Sequence, residues 1–196
     1  ERRRYTFFIR SRRRYVPMVR AFIAIDMPGE IRTRIAKAQA VLAKSDAKLT
    51  PVNPSITHIT LKFLGEVDAR TLESVEVALG TLSFQPFDMT ISGVSGNSVS
   101  RPRVIWATAQ DDGMCSKLAR RIEEILAPIG IQRESRQFTP HITIARVRRF
   151  DTSLSGRIDE LASTSFGNLS VSAVRLKKST LTPSGPVYET LMEVTL

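Results

Sequence analysis

The sequence predicts an α+β fold, in which one domain is built from two mostly antiparallel sheets with helices on their outer sides. Three observations favour this class. Short apolar strands alternate with amphipathic helices, a strand that begins His-Ile-Thr occurs twice, at His58 and His141, and no low-complexity linker divides the 196 residues. Neither half is large enough to bury its sheet alone, so the two lobes are expected to share a core around a central cleft.

The first half begins with a strand and a helix. Residues 19–27 are apolar and are followed by Pro28 and Gly29, which predicts a buried strand that ends there. Residues 30–44 carry apolar side chains at helical spacing, with basic residues between them. The apolar side chains of this predicted helix are Ile31, Ile35, Ala38 and Leu42.

A loop and a second strand–helix pair complete the first half. Pro51 and Pro54 predict a loop before the strand that starts at His58. A helix is expected over residues 68–82, with Asp68 as its N-cap. Its apolar side chains are Leu72, Val75, Val77 and Leu79.

The second half repeats the order strand, helix, His-Ile-Thr strand, which predicts an internal duplication and a pseudo-two-fold axis between the lobes. A third helix is expected to end at Gly130. A short helix is expected near residues 157–162. The predicted strands of this half cover residues 87–96, 103–109, the segment from His141, 169–181 and 187–196.

Positive charge is concentrated at the N-terminus. Residues 1–17 hold seven arginines and one acid, which is +6 of the net charge of +10. An apolar run long enough for a signal peptide is missing from this segment. We expect a basic extension outside a domain of residues 18–196, arising from a misplaced translation start or from disorder. A basic arm that binds nucleic acid is the alternative.

Composition excludes several other classes. No apolar run approaches the roughly 18 residues of a membrane span, so we expect a cytoplasmic protein without a membrane partner. The single Cys115 excludes a disulfide framework and favours a reducing compartment. One cysteine and two histidines are too few for a structural zinc site. The sequence contains no P-loop, G-x-G-x-x-G, C-x-x-C or G-x-S-x-G motif.

The two His-Ile-Thr strands contain every histidine of the chain, His58 and His141. Side chains at i and i+2 of a strand share a face, so each histidine lies beside a threonine, Thr60 or Thr143. A pseudo-two-fold axis would make these polar faces meet across the cleft. Two imidazoles can serve as acid and base in one turnover, and hydroxyls can donate to phosphate oxygens, so this set suits a phosphate ligand. A single such segment would more often be structural, but two matching copies favour catalysis.

The paired H-x-T-x motifs resemble the signature of the 2H phosphoesterases. The segments "AFIAIDMPGEI", "HITLKFLGEV", "RPRVIWA", "FTPHITIARV" and "LKKSTLTPSGPVYETL" are similar to the RNA 2′,3′-cyclic phosphodiesterase branch, also called 2′-5′ RNA ligases. The resemblance runs from Met18 to Leu196. It implies a bilobal, LigT-like fold and hydrolysis of a 2′,3′-cyclic phosphate, on RNA ends or nucleotides, to a 2′-phosphomonoester. It implies no metal and no cofactor, and we expect a monomer with no obligate protein partner.

The resemblance also implies a role for each residue of the motifs. His58 matches the proton donor to the leaving 3′ oxygen, and His141 matches the base that activates water. Thr60 and Thr143 match hydroxyls that bind phosphate oxygens. Because the two motifs are nearly symmetric, the sequence by itself does not decide which histidine is the acid.

Two further candidates lie five residues after each histidine. The resemblance implies that Phe63 contacts a base or ribose and that Arg146 binds phosphate. Ideal strand parity places both side chains on the core face, so we expect a strand end or a bulge near Gly65 and after Ala145.

Lys62 lies on the His58 face by parity, where it would add positive charge to the site or extend into solvent. Trp106 and Tyr188 are interpreted as packing residues.

Two other functions stay open. A reversible 2′-5′ ligase or 2′-5′ phosphodiesterase would use the same reacting group. An RNA-binding module without turnover would need strong electrostatic attraction to RNA, and the body of the chain is only mildly basic.

Overall fold

The computed structural model describes residues 18–196, so the predicted basic extension over residues 1–17 lies outside the described residues. This part of the chain holds nine strands and four helices. In chain order they are β1 Met18–Asp26, α1 Gly29–Leu42, β2 Lys48–Pro51, β3 His58–Asp68, α2 Ala69–Leu79, β4 Phe87–Gly96, β5 Val104–Gln110, α3 Met114–Leu126, β6 His141–Arg149, α4 Ser153–Glu160, β7 Ser165–Val171, β8 Ala173–Thr182 and β9 Gly185–Thr195. None of these four helices is long and apolar enough to cross a membrane.

The strands form two antiparallel sheets that meet at one residue pair. The first sheet has the order β3-β1-β8-β9, and the second has the matching order β6-β5-β4-β7, with β2 added beside β6. Ile59 of β3 pairs with Ile142 of β6 and joins the two into one nine-stranded sheet. The predicted α+β class is confirmed, and the matching strand orders agree with a duplicated unit.

The long helices are exchanged between the two halves. Helix α1 follows β1 of the first sheet but packs against β6, β7 and α4 of the second. Helix α3 follows β5 of the second sheet but packs against β3 and α2 of the first. Each half therefore supplies the helix that buries the other half's sheet, which explains how two small sheets share one core.

Local sequence patterns predict the helices well. The four apolar residues predicted for α1 are the four that are buried on it. Asp68 caps α2 as predicted, because its carboxylate accepts from the backbone N–H of Thr71 at 2.7 Å. Val77 differs from the rest of the α2 pattern, since it is 69% exposed and points away from the buried Val75 and Leu79.

Two predictions about the strands and one about a helix were wrong in position. The loop expected around Pro51 contains the short strand β2, which pairs with β6. The single strand expected over residues 169–181 is two strands, because the chain turns at Ser172 and crosses from the second sheet to the first. The last helix, α4, begins four residues earlier than expected, at Ser153. Pairing partners distant in sequence decide both strand outcomes, and alternation alone does not reveal them.

Candidate active site

The two His-Ile-Thr strands are direct neighbours. Ile59 pairs with Ile142 in antiparallel register. Continuing that register by one residue in each direction places His58 beside Thr143 and Thr60 beside His141. The four polar side chains thus lie side by side on one face of the joined sheet, rather than facing each other from opposite walls of a cleft.

Both imidazole rings are held in the same orientation. Nδ1 of His58 lies 2.9 Å from the carbonyl oxygen of Ile56, and Nδ1 of His141 lies 2.8 Å from that of Thr139. A carbonyl oxygen can only accept, so Nδ1 of each ring must carry the proton. Nε2 is then the nitrogen that gains or releases a proton in each ring, which is the requirement for acid–base chemistry. In His58 this nitrogen also lies 3.1 Å from the hydroxyl oxygen of Thr60.

A β-bulge follows each motif at the same place. In β3 the register with β1 passes from Thr60 to Lys62, which leaves Leu61 as an extra residue. In β6 the register with β5 passes from Thr143 to Ala145, which leaves Ile144 as the extra residue. The first nine residues of β3 and β6 consequently have the same sequence of buried and exposed positions.

The bulges bring Phe63 and Arg146 to the polar face. Both side chains are exposed, Phe63 by 58%. The bulges at Leu61 and Ile144 precede these residues and were not predicted. The predicted irregularities near Gly65 and after Ala145 are also present, with Leu64 and Arg148 as the extra residues. Each motif therefore presents its histidine, its threonine and the fifth residue after the histidine on one face.

The exchanged helices hold the two bulges. Gln39 of α1 donates from Nε2 to the carbonyl of the bulge residue Ile144 at 2.8 Å, and to that of Val52 at 2.6 Å. Glu123 of α3 accepts from Lys62, the residue after the other bulge, at 2.8 Å. Polar side chains of the opposite half thereby fix the geometry of both motifs.

The prediction that Lys62 lies on the His58 face or in solvent was wrong. The bulge at Leu61 reverses the direction of Lys62, which is only 2% exposed and faces α3. Its ammonium group donates to Glu123 and, at 2.6 Å, to the carbonyl of Gln132. Lys62 is therefore a buried structural cation, at the position that Ala145 occupies in the other copy.

Aromatic rings enclose His58. The ring of Phe22 lies 4.9 Å from the imidazole, and the ring of Tyr188 lies edge-on at 5.3 Å. Burial among these groups lowers the pKa of His58 below its usual 6.5, while the Ile56 carbonyl and the Asp26 carboxylate act in the opposite direction. Tyr188 packs as predicted, and its contact partners include the candidate proton donor.

His141 has a different environment. The indole of Trp106 lies 4.9 Å from its imidazole, so Trp106 also packs as predicted, but directly on the site. Thr108 of β5 is the cross-strand partner of His141. The corresponding partner of His58 is the carboxylate of Asp26, on β1. The two copies of the motif thus differ in the charge of their neighbours.

Sequence reasoning missed Asp26 and the cation that it binds. Lys177 of β8 donates to both oxygens of the Asp26 carboxylate, at 2.6 and 2.7 Å, and its side chain is only 10% exposed. Arg175 approaches the same carboxylate at 3.6 Å. A charge at the end of the apolar "AFIAID" segment was a usable signal for Asp26, whereas nothing in "LKKS" distinguishes Lys177 from Lys178.

A cavity of about 310 Å³ opens beside Phe63. It lies between the bulged end of β3, at Phe63 to Gly65, and the loop from Gly130 to Glu134. This loop leads toward His141 and is tied to Lys62 through the carbonyl of Gln132. A flat group stacked on Phe63 would have room there, close to the histidine face.

Comparison with protein families gives one match that covers most of the chain. The model described as LigT like Phosphoesterase matches residues 25–106 and 112–188. An RNA 2′,3′-cyclic phosphodiesterase of Methanocaldococcus jannaschii is 38% identical over 179 residues, which is 89% of this chain and 99% of the relative. One of Archaeoglobus fulgidus is 34% identical over 174 residues, covering 88% of this chain and 98% of the relative.

Solved structures show the same fold. Escherichia coli LigT in complex with 3′-AMP superposes with a TM-score of 0.76 at 26% identity, over 92% of this chain and 99% of that one. A Thermus thermophilus protein superposes with a TM-score of 0.75 at 28% identity, over 90% of this chain and 97% of that one.

Proposed function

The chain belongs to the LigT-like phosphoesterase family and is a cyclic phosphodiester hydrolase that acts on RNA or nucleotides, and from this premise we propose its substrate and its catalytic residues. The substrate is a ribose 2′,3′-cyclic phosphate at an RNA or nucleotide end, and the product is a 2′-phosphomonoester. His58 and His141 act as the acid and the base. The observation that supports this assignment best is the pairing of Ile59 with Ile142, which places both imidazoles on one face.

The reaction needs two proton transfers. Nε2 of His141 takes a proton from water as its oxygen attacks phosphorus, and the bond from phosphorus to O3′ breaks. Nε2 of His58 gives a proton to O3′, which leaves as the free hydroxyl. The hydrogen bonds at Nδ1 of both rings support this mechanism, because they leave proton transfer to Nε2. The hydroxyl of Thr60, 3.1 Å from Nε2 of His58, gives up this contact or accepts from the charged ring when the substrate binds.

The remaining motif residues bind the substrate. Thr60 and Thr143 donate their hydroxyl hydrogens to the non-bridging oxygens of the phosphate. Arg146 neutralises part of the charge that develops on those oxygens. Phe63 stacks against the base or ribose at the mouth of the adjacent cavity. That the enzyme is a monomer in the cytoplasm stays a prediction from the sequence.

Product mapping tests the proposed function. We expect the purified chain to convert a nucleoside 2′,3′-cyclic phosphate and an RNA oligomer with the same end group into 2′-phosphomonoesters, with no loss of rate in EDTA. Phosphorus NMR or digestion with position-specific phosphatases distinguishes 2′ from 3′ products. A 3′-phosphate product, or no turnover of either substrate, would contradict the proposal.

A 2′-5′ phosphodiester substrate belongs in the same panel, because the reacting group is shared with the ligase and 2′-5′ phosphodiesterase alternatives. Faster cleavage or formation of that linkage than hydrolysis of the cyclic phosphate would favour those alternatives.

The dependence of the rate on pH should be bell-shaped, since one imidazole must be charged while the other is neutral. Burial lowers the pKa of His58 in the free enzyme, so the charged form is disfavoured there. The negative charge of the bound phosphate raises it again. We therefore expect the profile of kcat, which reports the complex, to lie at higher pH than that of kcat/KM, which reports the free enzyme. Coincident profiles, or a flat response between about pH 5 and 8, would contradict this account.

A further inference from the structure

We propose that the ion pair of Asp26 with Lys177 is a positioning device for His58, in which the carboxylate favours the imidazolium form and the lysine limits that effect. The proposal rests on the function inferred above and deepens it, because it explains why the first histidine, and not the second, is the proton donor. Both residues act through His58 and need no contact with substrate.

The geometry places this pair directly beside the imidazole. Asp26 is the cross-strand partner of His58 in the register of β1 and β3, so their side chains share a face. Both carboxylate oxygens are engaged by the Lys177 ammonium, at 2.7 and 2.6 Å. The carboxylate is thereby held in place on the strand position opposite His58.

Burial makes the pair electrostatically important. The Lys177 side chain is 10% exposed and that of Asp26 is 18% exposed, so solvent screens them weakly. In agreement with this, Asp26 raises and Lys177 lowers the pKa of His58, although burial remains the larger influence. The influence of Asp26 on this pKa is larger than that of Lys177 and opposite to it, so removing either charge should move the His58 pKa in a direction opposite to removing the other.

Other charged or titratable groups around His58 also come from neighbouring strands. Those near His58 or the Asp26 carboxylate are Asp26 and Arg20 on β1, Lys177 and Arg175 on β8, Tyr188 and Glu193 on β9, and His141 and Arg146 on β6, where the two arginines Arg20 and Arg146 act on Tyr188. Glu193 lies 2.6 Å from Arg175 and offsets its charge. Asp26 is therefore the one carboxylate in this group that directly adjoins the imidazole strand.

Among residues 18–196, the strand position opposite the second histidine carries no such ion pair. The cross-strand partner of His141 is Thr108, which carries no charge. On the neighbouring strand of each copy, the residue opposite the histidine is thus an aspartate in one case and a threonine in the other. Among the described residues, this difference favours His58 as the donor, because the Asp26 anion offsets part of the effect of burial on its protonated form.

The chain itself supplies a sharp test, since its only imidazoles are His58 and His141. Imidazole resonances of the full chain, labelled with ¹⁵N, are followed across about pH 5–8, and a His141→Gln variant assigns the two signals. We expect Asp26→Asn to move the His58 midpoint to lower pH and Lys177→Met to move it to higher pH. In the double variant, the His58 midpoint should return toward its value in the unmodified chain. The His141 midpoint serves as the internal reference and should move less in every variant.

Lys178→Met is the matched control. Lys178 is the next residue of β8, is exposed and pairs with Glu189 at 3.3 Å, so its loss removes the same charge at a neighbouring position. We expect no change in His58 from this variant. Equal shifts in the Lys178 and Lys177 variants would overturn the proposal, as would shifts of Asp26→Asn and Lys177→Met in the same direction, or no shift in either. If Asp26→Asn does not fold, the His58 midpoints of Lys177→Met and of the double variant test the proposal.

Turnover separates this inference from the proposed function. In Asp26→Asn the limb of the kcat profile that His58 controls should move to lower pH, with roughly a tenfold loss on the alkaline side. A tenfold loss corresponds to about 1.4 kcal/mol of differential interaction with the two protonation states of His58. If the variants shift the His58 midpoint as expected but the unmodified chain shows no turnover, the proposed function is refuted and the role of the ion pair is not. Turnover with unmoved midpoints would refute the role of the ion pair alone.

Discussion

Replacing either histidine by alanine is expected to lower kcat/KM for a 2′,3′-cyclic phosphate by about 10²–10⁴, the contribution of a general acid or base. Each imidazole handles one of the two protons that must move, so neither can substitute for the other. The two losses should not add in the double variant, because residues that act as a unit are strongly non-additive. Steady-state kinetics on the single variants and on the double variant measure this directly.

Asparagine variants provide the structural control for this experiment. The Nδ1 groups of His58 and His141 each donate to a backbone carbonyl two residues earlier, and an asparagine amide can make a similar bond without titrating. His58→Asn and His141→Asn should therefore keep the stability of the unmodified chain and still lose activity. Full activity in any alanine or asparagine variant would remove that histidine from the mechanism.

Removing the ammonium of Lys62 is expected to cost about 3–5 kcal/mol of unfolding free energy, the penalty for breaking a buried ion pair by deleting one partner. Lys62→Met keeps most of the side-chain volume, so the loss would come from the charge and its hydrogen bonds. Glu123 would be left without its cation and the carbonyl of Gln132 without its donor. Equilibrium denaturation with urea measures the change, provided that the transition is two-state.

Two further variants locate the origin of that loss. Lys178→Met removes an exposed lysine from a surface pair, and such pairs contribute about 0–1 kcal/mol. Adding Glu123→Gln to Lys62→Met removes the uncompensated charge but keeps an acceptor for the backbone N–H of Glu134, so part of the stability should return. A Lys62→Met chain as stable as the unmodified one would show that the buried pair is energetically neutral.

Lys62 also illustrates why strand parity failed at this site. In an ideal strand Lys62 shares the face of His58 and Phe63 does not. The extra residue Leu61 inverts both assignments, burying the lysine and exposing the aromatic ring. The buried Lys62 that follows this bulge is bound by Glu123 of α3, more than fifty residues later in the chain. The local sequence pattern therefore does not predict a bulge at Leu61.

The mechanism depends on residues that the sequence reveals and on residues that only strand pairing brings to the site. The histidines and threonines can be identified from the sequence, because a spacing of two residues places each pair on one face of a strand and the pair occurs twice. Asp26 and Lys177 acquire their positions through strand pairings that connect β1 with both β3 and β8. Sequence therefore reveals the reacting groups more readily than the groups that set their proton affinity.

The sequence by itself determined the α+β class, the apolar face of α1, the cap of α2 and the two His-x-Thr pairs, because these follow from periodicity and residue chemistry within a few positions. The tertiary structure alone decided the pairing of Ile59 with Ile142, the bulges at Leu61 and Ile144, the exchange of α1 and α3, and the partners of His58. The physical reason is that register and packing partners are chosen by burial and hydrogen bonding summed over distant segments.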